Sequence, residues 1–191
     1  MSDAMISALP GAEAQGLIAI REMGLQGMVT LRADLAAAAP MIAQITGANV
    51  PEPRAMTKGK ACELAWMSPD EVLILCDHSA AGGLAADLSR ALRGQHHLVV
   101  DVSDARAMFS LTGPSGALRD VLSKITPADL SASALPVGEM RRTRLQQVAG
   151  ALWFASDAEA RVICFRSVAR YVFDLLAISA HPGGAIHYHR A

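Results

Sequence analysis

The stretch Asp101–Ile125, DVSDARAMFSLTGPSGALRDVLSKI, decides the fold class. Leading into it, Leu98, Val100 and Val102 fall at every second position, and after the polar pair Ser103-Asp104 so do Ala105, Ala107, Phe109 and Leu111. Alternation with a period of two predicts two half-buried strands, and the short polar break predicts a reversal between them. Gly113-Pro114-Ser115-Gly116 then starts a helix, because proline in a first helical turn gives up an N–H that has no partner there anyway. Leu118, Val121, Leu122 and Ile125 follow at i, i+3, i+4 and i+7, one apolar stripe, and Pro127 ends it.

Working outward, 191 residues suffice for one sizeable core, and one domain is the default expectation. Lys and Arg number 17 against 18 Asp and Glu, a near balance that leaves no electrostatic footprint for nucleic acid. Charged residues make up 18% and hydrophobic residues 52%, with a mean hydropathy of +0.28, a composition that favours association with a partner unless it merely reflects an alanine-rich chain. Cys62, Cys76 and Cys164 are widely spaced and form no C-x-x-C pair, which reads as three inert thiols in a reducing cytoplasm. The first residues lack a basic n-region with a long apolar core, and no run approaches the length of a membrane span.

In chain order, residues 1–16 are expected to be loosely ordered. Residues 17–180 read as a single α+β domain with two halves, 27–102 and 105–179, followed by a flexible tail at 181–191. In the first half, Gly27–Arg32 is a strand and Asp34–Gly47 a helix with Pro40 in its first turn. A turn-rich loop covers 50–60. Ala61–Met67 and Glu71–Cys76 are strands about a Ser68-Pro69-Asp70 turn, and a helix capped by Ser79 runs to Arg93. With Leu98–Val102 this gives β-α-β-β-α-β, a split βαβ or ferredoxin-like order. In the second half a Ser/Ala/Pro-rich linker at 128–138 precedes strands at 143–148, 151–155 and 161–165, with turns at Gly150 and Ser156-Asp157. Ser167 is expected to cap a last helix that carries Val168, Tyr171, Val172, Leu175 and Leu176. The fold expected is therefore two ferredoxin-like halves.

Chemistry is thinly signalled. The sequence contains no G-x-G-x-x-G and no P-loop pattern, and Gly113–Gly116 reads as a helix-start turn in preference to an anion nest. His96 and His97 precede a strand in which neighbours face opposite ways, while His187 and His189 could share a face in the tail. Asp104 is expected to support its turn, and Asp101 could be either structural or a cofactor-facing carboxylate. Arg142 and Arg144 share one strand face, suited to a carboxylate-bearing ligand or an acidic partner, unless that face is simply solvated. Trp66 and Trp153 are expected to be core or interface anchors. No catalytic, cofactor-binding or metal-binding residue is assigned; the partner-binding candidates are Arg142, Arg144 and Trp153.

The central stretch, continued through Leu130 as DVSDARAMFSLTGPSGALRDVLSKITPADL, resembles the motif of the gamma subunit of heterotetrameric sarcosine oxidase. WMSPDEVLIL at 66–75, RTRLQQVAGALW at 142–153 and RSVARYVFDLL at 166–176 extend the resemblance over most of the chain from about Arg32. Val72, where an aromatic is common, and Ala105, where a basic residue is common, depart from the pattern. The family's wider fold group includes the folate-binding aminomethyltransferase, or T-protein, of the glycine cleavage system. The resemblance implies a non-catalytic gamma subunit that supports oxidative demethylation of sarcosine to glycine, with oxygen as acceptor and hydrogen peroxide as a product. It places FAD, FMN, NAD and tetrahydrofolate in partner subunits and makes the alpha, beta and delta subunits the partners, chiefly alpha. Neither nucleic acid nor membrane is implied as a partner. A stand-alone folate-binding or aminomethyltransferase-like protein, with Arg142 and Arg144 on the glutamyl tail of tetrahydrofolate, is the alternative.

Overall fold

The computed structural model describes residues 5–189. Within these the chain runs β1 (Glu13–Gln15), β2 (Ala19–Glu22), β3 (Gly27–Ala33), α1 (Leu35–Thr46), β4 (Met56–Lys58), β5 (Cys62–Ser68), β6 (Glu71–Cys76), α2 (His78–Ala91), β7 (His97–Asp101), β8 (Arg106–Thr112), α3 (Ser115–Ser123), β9 (Met140–Leu145), β10 (Val148–Ser156), β11 (Glu159–Phe165) and α4 (Ala169–Ser179). It divides into two compact units, one of residues 26–104 and one that joins 1–25 to 105–191.

The first unit is a five-stranded antiparallel sheet in the order β4-β5-β6-β3-β7. Without the short β4, this is the ferredoxin-like order that the β-α-β-β-α-β pattern predicts. One face carries Val29, Leu31, Leu64, Val72 and Ile74 into a core with Leu35, Ala38 and Ile42 of α1 and Ala81 and Leu88 of α2. Asp34 caps α1, its Oδ1 accepting from Ala36 N and Ala37 N, and Gly47 ends it at φ +73°. Because the cap is Asp34, Pro40 lies inside the helix and not in its first turn. Between β7 and β8 the chain makes a 3-10 turn over Ser103–Ala105. Asp101, not Asp104, supports it: Asp101 Oδ1 accepts from Ser103 N at 3.0 Å and Ser103 Oγ at 2.5 Å. Ser103 Oγ in turn accepts from Met28 N at 2.9 Å.

The second unit is a six-stranded antiparallel sheet in the order β1-β2-β8-β11-β10-β9. The expected reversal between the strands flanking Ser103-Asp104 does not form, because β7 pairs with β3 and β8 with β2 and β11, in different sheets. Taken alone, residues 105–179 supply four strands, and the N-terminal segment adds β2 along the open side of β8. Residues 5–16 are accordingly not loose. Leu17 N donates to Ala180 O at 2.7 Å, Arg166 Nη2 donates to Ile6 O at 2.7 Å, and β1 pairs with β2. The expectation for residues 1–4 lies outside the described residues.

Ile18, Ile20, Phe109, Leu111, Leu152, Phe154 and Val162 pack under Leu118, Val121 and Leu122 of α3 and Val172, Phe173 and Leu176 of α4, with the Phe109 and Phe173 ring centroids 6.1 Å apart. The β9–β10 turn falls at Gln146 (φ +53°), and Gly150, expected to turn the chain, sits inside β10. Any Cβ at Gly150 would press on Leu145 and on the Ile163 carbonyl of β11, so the glycine serves close strand approach. A 3-10 turn over Arg166–Val168 leads into α4, and Ser167 makes no cap bond. Residues 181–189 are tied back: Lys124 Nζ donates to Ser179 O at 2.7 Å and Gly184 O at 2.6 Å, and His189 N donates to Asp120 Oδ1 at 2.9 Å. The expectation for 190–191 lies outside the described residues.

Arg119 organises the linker that follows α3. Its side chain is buried, lies over the Phe154 ring with Cζ 4.0 Å from the centroid, and donates Nη1 to Leu130 O and, at 3.2 Å, to Leu135 O. Burial lowers its pKa, with Asp157 opposing the shift, yet guanidinium stays charged at any ordinary pH. Arg119→Ala should lower the free energy of unfolding by about 3 kcal/mol, since two buried carbonyls lose a charged donor; urea titration of the full chain measures it.

Candidate partner-binding edge

β9 closes one side of the six-stranded sheet, antiparallel to β10 with Met140 opposite Trp153, Arg142 opposite Ala151 and Arg144 opposite Ala149. Residues directly opposite share a face, so the three candidates, Arg142, Arg144 and Trp153, lie on the same sheet face. It is the face opposite to that of Leu145 and Leu152, which enter the helix-covered core. Arg142 and Arg144 are exposed there, while the intervening Arg141 is half-buried and donates Nη2 to Ala134 O at 2.7 Å. Trp153 is 1% exposed. Met140 on one side and Arg161 on the other flank Trp153 in the sheet, and its side chain is covered where those of Arg142 and Arg144 are not. Trp66 is half-buried.

The other candidates are engaged locally. His97 Nδ1 donates to Gln95 O at 2.9 Å and Nε2 lies 3.1 Å from Ser89 Oγ, so the ring is held by two structural contacts. His78 Nε2 lies 3.3 Å from Asp104 Oδ1. His189 Nε2 lies 3.1 Å from Ser123 Oγ, so the tail histidine belongs to the docking of the tail on α3. Asp101 is occupied by Ser103. Among the described residues, no group of three or more His, Cys, Asp and Glu is arranged to hold a metal ion.

Pro114 precedes α3 without a side-chain cap, and two shallow hollows flank this helix start. One of about 270 Å³ is lined by Leu17, Ser115, Asp120 and His187, the other of about 330 Å³ by Ser115, Arg119, Ser131 and Tyr188. A wider groove of about 480 Å³ runs along β1, β2 and β8, lined by Glu13, Gln15, Arg21, Ser110 and Thr112. Beside it Ser110 Oγ donates to Glu159 Oε1 at 3.0 Å and Arg161 Nε donates to the same oxygen at 3.1 Å. Sequence reading missed this groove because its residues come from segments about 90 positions apart, joined only by the β2–β8 pairing.

The fold and the arginine-bearing edge define an α+β chain of two antiparallel sheets with a basic sheet margin. The chain belongs to the sarcosine oxidase gamma subunit family, whose pattern residues 31–181 match. It is 28% identical over 185 residues to a sarcosine oxidase subunit gamma of Arthrobacter sp, covering 93% of this chain and 89% of that one. To a sarcosine oxidase subunit gamma of Corynebacterium sp. (strain P-1) it is 29% identical over 152 residues, 78% of this chain and 73% of that one. Among solved structures it is similar to a chain of the heterotetrameric sarcosine oxidase from Corynebacterium sp. U-96, solved with pyrrole 2-carboxylate. The TM-score is 0.76 and the identity 26%, over 88% of this chain and 87% of that chain. The glycine cleavage system aminomethyltransferase T from Bartonella henselae shares the fold at TM-score 0.56 and 13% identity, over 79% of this chain and 43% of that one.

The two kinds of edge residue should respond differently to substitution. Trp153→Ala should cost about 3–5 kcal/mol of stability by emptying a filled interior site, whereas Arg144→Glu should change it by less than about 0.5 kcal/mol. Thermal and urea unfolding of the two variants side by side makes the comparison.

Proposed function

We propose that this chain is the non-catalytic gamma subunit of a heterotetrameric sarcosine oxidase and supports the oxidative demethylation of sarcosine to glycine in the cytoplasm. The observation that carries this reading is the family match over residues 31–181, together with the likeness of nearly the whole chain to a chain of a sarcosine oxidase. The alpha, beta and delta subunits are its partners, alpha chiefly, and FAD, FMN, NAD and tetrahydrofolate bind in those subunits. A scaffold role is supported by the engagement of the polar groups: Asp101, Ser103, His97 and Arg119 each make hydrogen bonds to this chain's own backbone or side chains. No helix among the described residues is long and apolar enough to cross a membrane.

Arg142 and Arg144 meet carboxylates of the partner in this reading. Exposed charges at the rim of an interface act mainly on encounter rate and its salt dependence, so Arg142→Glu with Arg144→Glu should slow association by about tenfold at low salt, with the difference shrinking as salt is added.

Co-expression with the other three subunits tests the assignment. The chain should co-purify with them, and the chain purified alone should show no flavin absorbance and no binding of tetrahydrofolate. Micromolar tetrahydrofolate binding by the isolated chain would point instead to a stand-alone folate-binding or aminomethyltransferase-like protein.

A further inference from the structure

The half-buried thiols of the 26–104 unit are neighbours across two strands. β5 and β6 are antiparallel with Cys62 directly opposite Cys76, and both side chains pack against the helix-covered core of that sheet. Main-chain directions fix the kind of pair. Gly59 N donates to Cys62 O at 2.8 Å and Trp66 N to Ala55 O at 3.1 Å, so residues 62, 64 and 66 aim their backbone groups at β4 and away from β6. Cys62 and Cys76 thus form a non-hydrogen-bonded pair, the type in which Cα atoms come to about 4.5 Å and side chains are closest. That separation lies within the roughly 4.4–6.8 Å over which a disulfide can span two Cα atoms. Cys164, by contrast, is 0% exposed and lies in the other unit.

We propose that Cys62 and Cys76 are a modification site, an oxidisable dithiol that a two-electron oxidant of the peroxide class closes into one intrachain disulfide. One sulfur attacks a peroxide oxygen, the O–O bond breaks, and a sulfenic acid forms with release of water. The second sulfur displaces the sulfenic oxygen as another water, so that the S–S bond forms as the S–O bond breaks. Two thiols lose two electrons and two protons, and the peroxide is reduced to water. Closing the bridge costs Cys62 only a weak bond, Sγ to Thr46 O at 3.8 Å.

The surroundings set the pace. Burial raises Cys62, with Glu63 adding to the shift and a backbone contact at Ala61 opposing it. Burial, with Cys62, Asp101 and Asp77 adding to it, pushes the Cys76 thiol up to about 11. Attack requires thiolate, so the reaction is slow near neutrality and quickens as pH rises. Burial pushes Cys164 up to about 12, which makes it the internal control.

The test is thiol counting on the full folded chain, treated with hydrogen peroxide and in parallel with diamide, then unfolded and alkylated. The expected result is a single alkylated cysteine, Cys164, with a peptide that joins the Cys62 and Cys76 fragments and is released by reductant. Cys164→Ser should still close the bridge, while Cys62→Ser and Cys76→Ser should each keep two free thiols. Three free thiols after an oxidant that cross-links the unfolded chain, a bridge to Cys164, or linkage only between chains would each overturn the proposal.

Discussion

Strand β8 is the constraint on which the second unit depends. It pairs with β11 from Arg106 to Thr112 along one side and with β2 along the other. Its inward residues Ala107, Phe109 and Leu111 meet both α3 and α4 in the core. Outward-facing Met108 and Ser110 are buried as well, so the middle of the strand is covered on both faces. A one-residue slip against β11 would place Met108 and Ser110 under the helices and turn Phe109 away, which the volume of the core forbids. Fixing β8 therefore fixes β2, and with it the anchoring of Leu17 on Ala180 at the end of α4.

This dependence explains which parts of the fold could be read in advance. Phe109, Leu111, Leu118, Val121 and Leu122 are legible because period-two and period-3.6 spacings are local, and each residue lies in the core where its spacing puts it. The partner of β8 is not local. Ile20 and Glu22 belong to a four-residue strand with too few positions to establish a period, and their pairing with β8 spans about 90 residues. The reversal expected at Ser103-Asp104 fails for a related reason. Asp101 and Ser103 look like turn residues and do make a turn, but the Met28 N–H that Ser103 Oγ holds lies far away in sequence. Of the candidate edge, Arg142 and Arg144 were legible as one exposed face because strand alternation is a rule about neighbours. The burial of Trp153 was left open between core and interface, since the same alternation says which residues share a face and nothing about what covers it.

The thiol pair shows the same limit at closer range. With Pro69 and Asp70 as a two-residue loop, Ser68 stands opposite Glu71, and simple counting would then put Glu63 opposite Cys76. A β-bulge between Trp66 and Ser68 inserts one residue into β5, shifts the register by one, and brings Cys62 opposite Cys76 instead. Nothing in the spacing of the cysteines reveals this, and reading them as three equivalent inert thiols follows directly from missing the bulge. Cys164 is buried, whereas Cys62 and Cys76 are half-buried and stand opposite each other, although all three sit in similar apolar strands.

The four sheet edges complete the contrast between the units. β1 and β4 are three residues long, too short to template another strand, and β9 carries arginines at both of its exposed positions. These are the ordinary ways of blunting an edge. β7 is guarded differently: it is five residues long, Leu98 is 52% and Val100 39% exposed, and only His97 and Asp101 at its ends are polar. The same Leu98 and Val100 that make β7 recognisable as a strand leave apolar surface on the outermost strand of their sheet. Charge therefore protects one margin of this chain and not another. The apolar composition that hinted at association is accordingly not spread evenly; part of it is concentrated on a strand that, among the described residues, pairs in its sheet only with β3.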